Sequence, residues 1–170
     1  MRLRWPGRRP AIALVTASLA AAVAVTGSNA AAPDGVQLTV RDASGRALVQ
    51  LPLLADRAFS LGYRNSVYRS HAEERYAADS DGRLVLTGLA AEELAVLEEY
   101  YAIDHPAWRA TSGLTWGAHP AQPVVIDELW VAATDLGRRS LRVDGRPPVE
   151  LWRLVDDSDP MVQLAVEPMP

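Results

Sequence analysis

The chain has no cysteine, no lysine and a single phenylalanine. The absence of cysteine excludes disulfides and lipid anchoring through an N-terminal thiol, so the fold has to stand on its hydrophobic core. All 17 basic residues are arginine. With alanine so abundant, this bias reflects a GC-rich genome rather than selection for guanidinium chemistry. Chemical motifs are also missing. There is no Gly-x-Ser-x-Gly elbow, no HExxH or HxH spacing and no glycine-rich phosphate loop, so no nucleophile, metal or cofactor is announced.

Long apolar runs are nearly absent too. The one that occurs, 11–26, is shorter than the roughly twenty residues that span a bilayer. Arg2, Arg4, Arg8 and Arg9 precede it and Ser28-Asn29-Ala30 follows it, the pattern of a secretory signal cut after Ala30. The expectation is a cleaved leader over 1–30 and one β-rich domain over 31–170, exported to the envelope or beyond without membrane insertion. Four of the arginines and none of the 21 acids fall in the leader, so 13 arginines face 21 acids in the domain, a net charge of −8. Such a surface repels phosphate backbones and anionic lipids, which argues against nucleic acid as a partner.

Within the domain, period-two alternation dominates. Val36, Leu38 and Val40 share one face, as do Phe59, Leu61 and Tyr63. Asp42-Ala43-Ser44-Gly45 and Asp79-Ser80-Asp81-Gly82 read as turns between strands at 36–40, 47–54, 73–77 and 83–86. Residues 90–101 switch to helical spacing through Leu94, Leu97 and Tyr101. Loop-rich sequence follows over 102–123, then strands at 124–133, 140–143, 149–154 and 162–166. About eight short strands and one helix predict a mainly β fold, an antiparallel sandwich or small barrel. Phe59, Leu61, Tyr63, Leu84, Leu86, Trp130, Leu141, Val143, Leu151 and Leu154 are its expected core.

Candidate chemistry is sparse. His71, Glu73 and Glu74 sit close in sequence, and Asp104-His105 and His119 offer further ligands, but no metal spacing joins them. Ser66 lacks the surroundings of a nucleophile. The turn at 79–82 opens like a calcium loop but has Ala90 where the closing glutamate belongs. Tyr100 and Tyr101 are adjacent on the predicted helix and cannot both face inward, so one ring is expected to be exposed, lining a cleft with His105 and Trp108.

The run Phe59-Ser60-Leu61-Gly62-Tyr63-Arg64-Asn65-Ser66-Val67, then Glu74-Arg75-Tyr76, resembles the first signature of a bacterial exported family catalogued as domain of unknown function eighteen-fifty. Leu141-Arg142-Val143-Asp144-Gly145, with 151–154 and 162–166, resembles its closing strands. The likeness spans about residues 57–167. Asn65 stands where the family has histidine, and the 90–101 segment replaces a glycine-rich step. Ser66, Val67 and Glu74 keep the pattern. Members are often encoded beside TRAP-type transporters, so the resemblance implies a solute-transporter accessory, with a transporter component or a small organic acid as partner.

The leading expectation is thus a non-enzymatic exported β domain that binds a small ligand or an envelope partner. Its candidate contact residues are Asn65, Ser66, Glu74, Tyr100, Tyr101, His105 and Trp108, with no catalytic residue, metal ligand or cofactor assigned. The alternatives are a metal-dependent hydrolase using His71, Glu73, Glu74, Asp104 and His105, and a structural envelope protein.

Overall fold

A computed structural model describes residues 35–104 and 114–170. Residues 1–30, read as a leader, and His105 and Trp108 lie outside them. Eleven strands and one helix follow in order: β1 (Val36–Asp42), β2 (Ala47–Pro52), β3 (Ala58–Arg64), β4 (His71–Ala78), β5 (Leu84–Ala91), α1 (Leu94–Tyr101), β6 (Trp116–Ala118), β7 (Val124–Ile126), β8 (Leu129–Ala132), β9 (Ser140–Arg142), β10 (Val149–Glu150) and β11 (Met161–Pro168). One 3-10 turn, Leu151–Arg153, follows β10.

The strands form two antiparallel sheets. The smaller runs β2-β1-β11-β8, and the larger runs β10-β9-β3-β4-β5-β6 with β7 also paired to β5. Neither closes into a barrel, so the sandwich is the expected architecture that forms. Its core takes Leu38 and Val40 from β1 and Val162 and Leu164 from β11. Against them pack Phe59 and Leu61 from β3, Tyr76 from β4 and Leu141 from β9. Leu38, Leu61 and Leu141 are wholly buried, each contributing about 1.5–3 kcal/mol through loss of apolar surface from water.

The two aspartate turns use one device. Asp42 Oδ1 accepts the backbone N–H groups of Ser44 and Arg46, and Oδ2 accepts the Arg46 side chain; Asp79 does the same with Asp81 and Arg83. Gly45 and Gly82 then take φ of 85° and 83°, where a side chain would be strained. The Ser44 hydroxyl, then Arg46, hold the Asp42 carboxyl down at about 2.

A second apolar cluster sits beside the sandwich core. Val96 and Leu97 of α1 pack on Ala72, Leu89 and Ala91 of the large sheet. The helix ends at Ala102, whose φ is 51°, and the N–H groups of Ala102 and Ile103 both reach the Leu97 carbonyl.

Several sequence expectations need correction. The helix starts at Leu94, not 90, because Ala90 and Ala91 complete the β5 ladder opposite Glu73 and Ala72. The 124–133 run breaks at Asp127-Glu128 and serves two sheets, β7 in the larger and β8 in the smaller. A strand, β6, lies inside the stretch read as loop. Trp130 points to solvent because Leu129 and Val131 hold the inward positions of β8, and Leu154 is exposed because the 3-10 turn presents Leu151 inward instead.

Candidate functional site

Strand alternation places the central residue. On β4 the side chains of Ala72, Tyr76 and Ala78 are buried, and Glu74 stands on that same inward face. A carboxylate among apolar neighbours must be paired or lose its charge. Arg139 Nη1 donates to Glu74 Oε2 at 2.9 Å, and Tyr76 Oη donates to the same oxygen at 3.1 Å. Tyr101 Oη donates to Oε1 at 2.7 Å. The single Tyr101 hydroxyl proton goes to Glu74, so Tyr63 is the donor in the 2.8 Å contact between the two tyrosine hydroxyls. The Arg139 guanidinium also lies over the Tyr63 ring, 4.8 Å from its centroid.

Five side chains from β3, β4, α1 and the β8–β9 loop therefore form one network where the two apolar clusters meet. The Glu74 and Arg139 side chains are 13% and 19% exposed, so the pair is largely removed from water. Burial, followed by the nearby Glu74 carboxylate, pushes the Tyr76 and Tyr101 hydroxyls well above the ordinary tyrosine range. Burial raises Tyr63 as well. These tyrosines remain protonated donors and do not act as bases at neutral pH.

A cleft of about 210 Å³ opens over Tyr63 and Arg139, lined also by Asn65, Ser66, Tyr100 and Leu136. An adjoining hollow of about 400 Å³ shares Arg64, Asn65, Ser66 and Leu136 and adds Arg69. Tyr100 and Leu136 are 52% and 62% exposed. No aspartate or glutamate lines either hollow among the described residues.

The structure thus brings together Asn65, Ser66 and Tyr100 on the cleft, with Glu74 and Tyr101 in the network bordering it. Asn65 shapes the site rather than presenting itself. It is buried, and its Oδ1 accepts the N–H groups of Val67 and Tyr68 while its own N–H donates to the Ser70 carbonyl. As the tyrosine pair demands, one ring is in and one is out: Tyr101 is the partly buried member and Tyr100 the exposed one. His105 and Trp108 lie outside the described residues.

Of the hydrolase candidates, the described residues His71, Glu73 and Glu74 do not converge on one face. Period two sends His71 and Glu73 to the outer face of β4 and Glu74 to the inner one. His71 is engaged by Glu92, its N–H donating to Oε2 at 2.7 Å and its Nδ1 lying 3.2 Å from Oε1. Glu73 is bound by Arg75 at 2.7 Å. Among the described residues no three His, Cys, Asp or Glu side chains converge as a metal site.

Sequence reading missed Arg139 and the polar role of Tyr63 and Tyr76. The available signal was Glu74 itself, an acid at an inward position of an alternating strand. No family model matches the chain, and neither a curated protein nor a solved structure matches it.

Proposed function

We propose that this protein is an exported, non-enzymatic β domain that docks a protein partner in the cell envelope through the cleft at Tyr100. The observation that carries this reading is the convergence of Ser66, Tyr100 and Leu136 from three separate segments on one cleft bordered by a fixed ion-pair network. Exposed apolar side chains around a preorganised polar border suit protein recognition, where rigid aromatic anchors supply contact area at low entropic cost. The acid-free lining, with Arg64 and Arg69 at its edge, favours an acidic partner surface.

The resemblance to the family of domain of unknown function eighteen-fifty supports a solute-transporter accessory role by association with TRAP-type transporters. The arginine-rich, apolar leader supports export. In cells, a photo-crosslinking amino acid at position 100 is expected to give a discrete envelope adduct, and one at Gln50 on the opposite sheet none. Adducts at both positions or at neither would overturn the docking reading. N-terminal sequencing of the exported protein is expected to start at Ala31.

A further inference from the structure

The outer face of the large sheet carries a second site, built by strand register. Glu73 on β4 lies opposite Gly62 on β3, Gly62 opposite Ser140 on β9, and Ser140 opposite Glu150 on β10. The centre of this row is therefore one hydrogen and one hydroxymethyl group, and the surface sinks there. A Cβ at Gly62 would meet Ser140 Oγ at 2.9 Å, so the floor is as low as the chain allows. The rows on either side are taller. One pairs His71 with Arg64, and the other sets Arg75 opposite Ser60 and Ser60 opposite Arg142. The trough between them is about 500 Å³, walled on its far side by Trp152, Arg138 and Arg153. Small-molecule sites commonly occupy roughly 300–1,000 Å³.

Charge pairing inside the trough is lopsided. Each lining glutamate already has a partner: Glu73 has Arg75 at 2.7 Å, Glu150 has Arg153 at 2.6 Å, and Glu92 has His71. Three lining arginines have no carboxylate partner among the described residues. Among the described residues the Arg64 side chain donates only to the Arg69 carbonyl, at 3.3 Å, and Arg138 rests against the Trp152 ring, 5.6 Å from its centroid. The Arg142 side chain makes no hydrogen bond or ion pair among the described residues, and the residue is exposed. Guanidinium forks match the paired oxygens of carboxylate and phosphate groups, and positive charge within a concave surface focuses the local field.

We infer that this trough binds a small oxyanion, a carboxylate or phosphate compound, gripped by Arg142 and Arg64 over the Gly62–Ser140 floor. The trough shares Tyr63 and Arg64 with the hollows at Tyr100, but Gly62, Ser140 and Arg142 line the trough and neither of those hollows. Separate titrations of the purified protein with succinate, citrate and inorganic phosphate at fixed ionic strength, followed by amide NMR, test it. Saturable shifts at Gly62, Ser140 and Arg142 are expected in at least one series, and the series that saturates identifies the oxyanion class. Arg142→Ala should weaken that binding tenfold or more while leaving the melting temperature unchanged, because the side chain is exposed. Tyr100→Ala should leave it intact. No saturation in any series, shifts clustered elsewhere, or affinity unchanged in both Arg142→Ala and Arg64→Ala would overturn the site.

Discussion

Tyr101 and Glu74 join the helix to the large sheet through one 2.7 Å hydrogen bond, made where the last helical residue meets the inward face of β4. The bond anchors a short helix that has no side-chain N-cap and no acidic residue in its first turn. An eight-residue helix is too short to persist by itself in water, so its stability comes from this contact and from Val96 and Leu97. Tyr101→Phe keeps the ring and removes the hydroxyl that serves both Glu74 and Tyr63. Chemical denaturation should show a loss of about 1–3 kcal/mol. Tyr100→Phe, one residue away and exposed, should change stability by less than about 0.5 kcal/mol.

Glu74→Ala leaves Arg139 largely buried without its carboxylate and three tyrosine hydroxyls with a broken network. A loss of about 3–5 kcal/mol is expected by urea unfolding. A loss under about 1 kcal/mol would mean that Arg139 escapes to solvent when its partner goes.

Alkaline pH should destabilise the protein steeply. The raised hydroxyls of Tyr63, Tyr76 and Tyr101 keep their protons in the folded state, whereas the unfolded chain releases them near pH 10. Above that pH the folded state binds more protons, so stability falls as pH rises. The full contribution is present below pH 10, with a slope of up to about 4 kcal/mol per pH unit for three retained protons. Ultraviolet titration of tyrosinate, followed alongside circular dichroism, should show these three ionising only with unfolding.

Ala102 occupies the left-handed region at φ 51° and is exposed. Ala102→Gly removes the clash of Cβ with the backbone, and a gain of about 1 kcal/mol in thermal or denaturant unfolding is expected.

Leu61 is wholly buried between the sheets. Leu61→Ala should cost about 2–5 kcal/mol, the cost rising with the cavity that remains.

The sandwich was legible because its signals are local. Alternation fixed the inward faces of β1 and β3, and the two Asp-x-x-Gly-Arg turns marked hairpins by their own side-chain chemistry. The helix boundary was misread because Ala90 and Ala91 fit either structure, and only pairing with β4 decides between them. Trp130 was misplaced by hydrophobicity, since its neighbours Leu129 and Val131 fit the inward positions better. The tyrosine network was half visible: adjacent Tyr100 and Tyr101 forced one ring outward, but Arg139 lies 65 residues from Glu74. The trough was invisible for the same reason. Gly62, Ser140 and Arg142 share a surface only once the register of β3 and β9 is set.

The pairing of β1 with β11 governs how the chain can fold. Thr39 donates to Glu167 across 128 residues of sequence, and β11 lies inside the small sheet, between β1 and β8. The hairpins of the large sheet can form as they are made, but the first strand waits, half-paired, until almost the whole polypeptide exists. Pairing strands so far apart in sequence raises the contact order of the fold, which slows folding. Truncation at residue 160 would therefore remove no dispensable tail: it would split β1 from β8 and leave the large sheet with its apolar face open to water.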